Sequence, residues 1–235
     1  MPAEPDDLQR KTLLTYLAQF ITAHKLEKME EVLSWRTRHI TVAIEDVFKS
    51  HNASAVIRNC DAAGIQDLHI IENHQKYKVN PYVTRGSSQW ITLIRYNLPE
   101  VDNTQRCYEA LRAQGYLIGA TAPGNEGKAL EEIELNQKVA LIFGNEFTGL
   151  SSWAIKNADF KLSLPMFGFT DSYNISVSAA LCLHHLVQKL HQADINWGLS
   201  EEEKKKIRLS WYKKAVKRSD LHTRLFLGKG RKIGE

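Results

Sequence analysis

Val139-Ala140-Leu141-Ile142-Phe143-Gly144-Asn145-Glu146-Phe147-Thr148-Gly149-Leu150 is the stretch on which the fold turns. Its first five residues are all apolar, without the polar alternation of a strand open to water on one side. Val139–Phe143 therefore reads as a strand covered on both faces. Two glycines five residues apart then flank Glu146, in a tight loop whose backbone is able to approach a ligand closely. The loop lacks the GK[ST] of a Walker motif and is not a G-x-G-x-x-G fingerprint. Read alone, it is equally a plain strand-to-helix turn.

A doubly covered strand needs helices on both sides, and the chain supplies them in either direction. Further short β-branched runs lie at Ile40–Ile44, Leu68–Ile71, Trp90–Ile94, Tyr116–Ala120 and Phe160–Leu164. Helical patterns fall between several of them, at Ala53–Ala63, Gln105–Gln114 and Ser151–Asn157, and a longer helix runs from Ile175 to Leu190. Strands alternating with helices predict an α/β fold with a mostly parallel sheet and helices on both faces. This domain spans 39–193, between an N-terminal helical extension (1–38) and a basic C-terminal extension (194–235). The first extension reads as helix over 8–34, from the spacing of Leu13, Leu17, Phe20, Ile21, Leu26, Met29 and Leu33.

In open α/β sheets the ligand sits beyond the carboxyl ends of the strands, so the segments there carry the chemistry. In His51–Ala63, the residues Ala53, Val56, Ile57, Cys60 and Ala63 form one apolar stripe, Arg58 points away from it, and Asn52 stands where an N-cap is expected. Taken alone, this is also a capped surface helix with a solvated arginine. After Phe160–Leu164 come Pro165-Met166-Phe167-Gly168 and a polar helix entry at Ser172-x-Asn174-x-Ser176, whose hydroxyls and amide lie beside free backbone N–H groups. Gly119-Ala120-Thr121-Ala122-Pro123-Gly124 forms a small-residue loop at another strand end.

The net charge of +4 is modest, but its distribution is uneven. From 201 to 235 there are twelve Lys and Arg against five Asp and Glu, a local balance of +7 that leaves −3 on the other 200 residues. A basic tail interleaved with Trp211 and Tyr212 points to a polyanion that is both neutralised and stacked. Cys60, Cys107 and Cys182 are widely spaced, which fits reduced thiols in a cytoplasmic protein. No apolar run reaches the roughly 20 residues of a membrane span. His184, His185 and His191 lack a carboxylate or thiol at ligand spacing, so no metal is expected. Trp35, Trp153 and Trp197 read as packing residues.

Three motifs, in order, carry a resemblance: N-x-x-x-x-x-R at Asn52–Arg58, G-x-E-x-x-G at Gly144–Gly149, and P-M-x-G followed by S-x-N-x-S at Pro165–Ser176. They resemble the SpoU family of RNA 2′-O-ribose methyltransferases, and within it the TrmH-type tRNA guanosine enzymes. Gly86-Ser87-Ser88-Gln89-Trp90 also looks like the tRNA enzymes. The resemblance covers residues 36–193. It implies the SPOUT α/β-knot, with a deep C-terminal trefoil knot that departs from the usual no-knot rule. It further implies S-adenosyl-L-methionine as cofactor, RNA (most simply tRNA) as partner, a homodimer, and methylation of the D-loop guanosine at position 18. A ribosomal RNA enzyme of the family and a noncatalytic RNA-binding member are the alternatives. The 35 residues before the core are too few for the separate RNA-binding domain that some ribosomal enzymes carry.

By the same resemblance, Arg58, Asn52, Glu146, Ser172 and Asn174 are the catalytic set. The cofactor would be held by Thr121, Gly144, Asn145, Glu146, Gly149, Leu164, Met166, Tyr173 and Asn174. Besides Arg58, the charge of the basic tail leads to RNA contacts being expected from Lys204, Lys205, Arg208, Lys213, Lys214, Lys217 and Arg218, in a tail that runs on through Lys229, Arg231 and Lys232, with Arg36 and Arg38 extending the patch. Tyr173 and Ile175 depart from the commoner Leu and Val of the third motif, while its polar residues stay in place.

Overall fold

A computed structural model of the chain describes residues 7–230 apart from 123, 125 and 126. Two compact units emerge, Thr37–Gly198 and a helical unit formed by 1–36 together with 199–235.

The larger unit holds strands β1 (Ile40–Glu45), β2 (Asp67–Ile71), β3 (Thr92–Tyr96), β4 (Tyr116–Thr121), β5 (Lys138–Phe143) and β6 (Phe160–Leu162). They lie in the order β3-β2-β1-β5-β4-β6, and every recorded pairing is parallel. Its helices are α3 (Ser50–Ala62), α4 (Pro81–Thr84), α5 (Asn103–Ala113), α6 (Ser152–Lys156) and α7 (Ile175–Gln192). The predicted double coverage is visible residue by residue. Ile40, Val42 and Ile44 of β1 join Val139, Leu141 and Phe143 of β5 in a core with α3 and α7. The alternate residues Ala43, Ala140 and Ile142 join Cys107, Tyr108 and Leu111 of α5 and Ala154 of α6 in a second core. β1 and β5 thus each feed two apolar layers through their period of two.

Several boundaries shift by one to three residues, β6 for instance ending at Leu162 and not Leu164, and three differences have clear local reasons. β3 starts at Thr92 because Ser87–Gln89 forms a 3₁₀ turn that Trp90 closes through its N–H to the Ser87 carbonyl, 2.9 Å. Helix α3 starts at Ser50, so Asn52 lies inside its first turn and is not the N-cap. The single helix expected over 8–34 is two, α1 (Asp7–Ala18) and α2 (Ala23–Ser34), broken where Thr22 adopts extended backbone (φ −66°, ψ 148°) behind Phe20-Ile21, poor helix formers.

In the helical unit, α1 and α2 join α8 (Glu201–Ala215) and α9 (Ser219–Gly230). Ser200 and Glu203 form a capping box at the start of α8. Leu13, Leu17, Met29, Leu33, Ile207 and Trp211 are buried. The two terminal extensions, which the sequence separates, here share one core. Trp35 is 55% exposed, whereas Trp153 packs edge-on against Tyr108 and Trp197 against His191. Among the described residues no helix is long and apolar enough to cross a membrane.

Candidate functional site

A cleft of about 500 Å³ opens at the carboxyl ends of β4, β5 and β6. Three loops far apart in sequence wall it: Thr121–Ala122, Gly144–Gly149 and Leu164–Tyr173. Phe143, Leu150, Leu162, Leu164, Met166 and Ile175 make much of the wall apolar.

The glycine loop is shaped by its own closure. Asn145 N–H donates to the Gly149 carbonyl and Gly149 N–H returns a bond to the Asn145 carbonyl, each 2.9 Å. Gly149 takes φ +69°, and a Cβ on Gly144 would collide with the backbone of Gly149 and Leu150. Both glycines are therefore required by the turn itself. The Asn145 side chain is used inside the protein, donating to the Asp46 carbonyl (2.6 Å) and accepting from Phe147 N–H (2.8 Å). Thr121 lines the cleft, but its hydroxyl donates to the Ile142 carbonyl at 2.8 Å.

Beside the cleft the three motifs meet in one hydrogen-bond chain. The Glu146 carboxylate accepts from the N–H of Phe48 (3.0 Å) and Lys49 (3.3 Å) and from Asn52 Nδ2 (2.6 Å). A carboxylate can only accept, which fixes the Asn52 amide with its oxygen facing away. That oxygen accepts from Asn174 Nδ2 at 3.2 Å. Asn174 Oδ1 in turn caps α7, accepting from the N–H and the hydroxyl of Ser176 at 2.9 and 2.7 Å. Asn59 Nδ2 adds a bond to the Ser176 carbonyl, 2.7 Å. Glu146 thus sits at the N-terminal end of α3, where the helix dipole favours an anion, and α3 is fastened to the start of α7. Arg58, two turns further along α3, is exposed and has no hydrogen bond or ion pair among the described residues.

Of the expected cofactor residues, Thr121, Gly144, Asn145, Glu146, Gly149, Leu164, Met166 and Tyr173 line the cleft, as does Ser172 of the catalytic set. Asn174 is in the chain beside it. Ser178 and Cys182 also line it and were not foreseen, although they follow Asn174 at a helical spacing of four. Burial pushes the Cys182 thiol up to about 12, so it stays protonated and unreactive near neutral pH. Phe147 and Asp171 are further lining residues that the motifs did not single out.

The expected RNA contacts fare unevenly. Arg36 is fully buried in the helical unit with its guanidinium 5.4 Å from the Trp211 ring, so it cannot reach a phosphate. Arg38 precedes β1, at the end of the sheet opposite the cleft, and forms a fork onto Asp67 (2.7 and 3.2 Å). Arg208 forms a bidentate pair with Glu30, both contacts 2.6 Å; hydrogen bonding to Glu30 raises its pKa further. Lys204 and Lys205 pair with Glu201 and Glu202 one turn back, contacts weak enough to be exchanged. Lys214, Lys217 and Arg218 are exposed and Lys213 is partly so. The side chain of Lys229, together with Arg231 and Lys232, lies outside the described residues.

Comparison with known proteins gives one picture. The family model described as the SpoU rRNA methylase family matches residues 39–184. A protein of Borreliella burgdorferi named tRNA (guanosine(18)-2′-O)-methyltransferase is 41% identical over 212 residues, 90% of this chain and 94% of that protein. The crystal structure of the A. aeolicus TrmH/SpoU tRNA modifying enzyme superposes with a TM-score of 0.73 at 30% identity, covering 83% of this chain and 98% of that one. The SpoU methyltransferase AviRb from Streptomyces viridochromogenes, solved in complex with AdoMet, shares the fold at a TM-score of 0.54 and 23% identity, over 67% of this chain and 60% of that one.

Proposed function

The chain belongs to the SpoU rRNA methylase family, and from that membership we propose that it methylates the ribose 2′-hydroxyl of a tRNA guanosine, the one at position 18 of the D-loop, using S-adenosyl-L-methionine. The observation that carries the reading is the Glu146–Asn52–Asn174 chain, which joins three separate motifs at the edge of one cleft, with Arg58 exposed and unpaired two turns along the same helix among the described residues.

The cleft fits the cofactor by its size, within the usual range for a small-molecule site, and by its mixture of apolar side chains and loop backbone. When bound, S-adenosyl-L-methionine supplies an electrophilic sulfonium methyl. The protein's own groups do the rest. The glycine loop and the Leu164–Tyr173 segment hold the cofactor chiefly through backbone. Cys182, kept as a thiol, does not compete for the methyl. Arg58 faces the 2′-oxygen and offsets the negative charge that develops there; a guanidinium stays protonated in proteins, so it acts as a stabiliser, not a base. Ser172 and Asn174 position phosphate and Arg58, with Asn174 working through Asn52. The convergence of three distant loops supports the trefoil-knot threading of the SPOUT fold; Ala179 is taken up by the chain's own core, and the exposed Val177 and Leu181 of α7 are the apolar surface that suits packing in a homodimer. The exposed Lys214, Lys217 and Arg218 and the half-buried Lys213 bind the body of the tRNA, in the cytoplasm. We take 39–193 as the methyltransferase part, within the compact unit Thr37–Gly198.

Transfer of labelled methyl to unmodified tRNA transcripts, with the product nucleoside identified, tests the proposal. Label in 2′-O-methylguanosine that falls at least a hundredfold in Arg58→Ala supports reaction and residue. Label only in ribosomal RNA would replace the substrate, and no transfer to any RNA would sink the enzyme reading. A near-full rate in Arg58→Lys would remove the role of the planar fork.

A further inference from the structure

Two large aromatic rings stand in solvent at the rim of the cleft. Phe48, just before α3, is 56% exposed, and Phe147, in the glycine loop, is 69% exposed. They are paired edge to face, ring centroids 5.6 Å apart at 76°. Leaving such rings in water forgoes much of the stabilisation that burying them would give, so the fold gains little from them there. Nor are they loose. The N–H of Phe48 is held by Glu146 Oε2 at 3.0 Å and that of Phe147 by Asn145 Oδ1 at 2.8 Å. The carboxylate that organises the catalytic chain therefore also sets the stance of the aromatic pair. Lys49 Nζ lies 5.6 Å from the Phe147 centroid and makes no ion pair among the described residues. Phe147 lines the cleft and Phe48 does not, so the pair runs from the rim outward.

We propose that Phe48 and Phe147 form a stacking platform for an unpaired base of the substrate RNA next to the methylated nucleotide, with Lys49 taking the adjoining phosphate. This rests on the RNA-methyltransferase reading above. Every base has a π-face, and RNA presented to a protein as a loop leaves bases unstacked and in need of one. A rigid pair of rings with a cation over one of them meets both parts of a nucleotide, the flat base and its charge. Lys49 is the N-cap of α3 and Arg58 lies two turns along the same helix, so both cations belong to one element beside the rings. A base held there fixes the position of its neighbour's ribose. The pair is a positioning and specificity device, and its loss acts on RNA binding and placement, not on the cofactor.

The test uses the full chain and unmodified tRNA transcripts carrying 2-aminopurine at the nucleotide on either side of the target guanosine. Wild type is expected to quench the probe at one of the two positions. Phe48→Ala should lose that quenching and raise KM for RNA about tenfold, with the Kd for S-adenosyl-L-methionine, the melting temperature and kcat at saturating RNA nearly unchanged. Phe48→Tyr, which keeps the ring, should restore both, and Lys49→Gln should raise KM and flatten its salt dependence. Unaltered KM and quenching in Phe48→Ala would overturn the proposal. So would a change confined to cofactor affinity, which makes the rings a cofactor wall, or a change in oligomeric state, which makes them an interface between copies. If wild type methylates no RNA at all, the functional reading fails first, and the quenching titration still decides whether a base stacks on the pair.

Discussion

Replacing Asn52 by aspartate changes one nitrogen to oxygen and reverses the logic of the site. In the wild type the Asn52 amide donates to Glu146 at 2.6 Å and accepts from Asn174 at 3.2 Å, at a position 6% exposed. Asn52→Ala removes a charge-assisted bond and a neutral one, a loss of about 2–4 kcal/mol. Asn52→Asp instead sets a second carboxylate against Glu146. At a separation of about 4 Å and an effective dielectric near 20, the repulsion adds up to about 4 kcal/mol. In the folded variant the two carboxylates share a proton, so their pKa rises above the unfolded value of about 4. A raised folded pKa leaves stability intact below the unfolded pKa and removes it as pH rises through the folded one. Asn52→Asp should therefore be much less stable than Asn52→Ala at pH 7, and the gap should close towards pH 4.5. Urea unfolding of wild type and both variants at the two pH values measures this directly, because any titration elsewhere is common to all three. A gap below about 1 kcal/mol at pH 7, or one that does not shrink on acidification, would refute the hydrogen-bond chain as the element that organises the site.

Other consequences are as definite. Gly144→Ala should destabilise the protein by about 1–3 kcal/mol and weaken S-adenosyl-L-methionine binding, since the new methyl meets the backbone of Gly149 and Leu150; melting and calorimetric titration report the two effects. His69 is buried, and desolvation lowers its pKa to about 4 against the opposing pull of Asp67. The unfolded chain takes up this proton near 6.5 and the native state refuses it, so stability should fall by about 3 kcal/mol as pH drops from 6.5 to 4. An imidazole NMR titration that shows His69 charging near 6.5 in the folded state would remove the effect. Arg208→Ala should lower the melting temperature through loss of the Glu30 fork, whereas Lys217→Gln should leave it unchanged and reduce the salt slope of tRNA binding by about one ion. The reverse pattern would exchange their roles.

Much of the architecture is legible in local pattern. Val139–Phe143 has apolar residues on both faces, and the structure places alternate ones in two different cores. The stripe of α3 is buried at Ala53, Val56, Ile57 and Cys60, and Arg58 is outside. Burial of this kind is written in periods of 2 and 3.6 residues, so one segment suffices to read it. The cleft at the strand ends follows from the parallel topology for the same reason.

Partners and exposure at particular polar positions do not follow from a segment. Asn52 stood in the pattern as a helix cap; its real partners, Glu146 and Asn174, lie 94 and 122 residues along the chain. Arg36 had the look of a phosphate ligand and is sealed beneath Trp211, 175 positions further on in the sequence and brought there only when the two ends of the chain fold together. Phe48 and Phe147 are ordinary aromatics until the glycine loop sets them face to edge in solvent. Periodicity within single segments fixes which faces are apolar, and with them the α/β order and the end of the sheet where the cleft lies. Which polar groups meet is fixed only in the folded chain, because a hydrogen bond depends on atoms within about 3 Å and that distance is set by the packing of segments remote from one another.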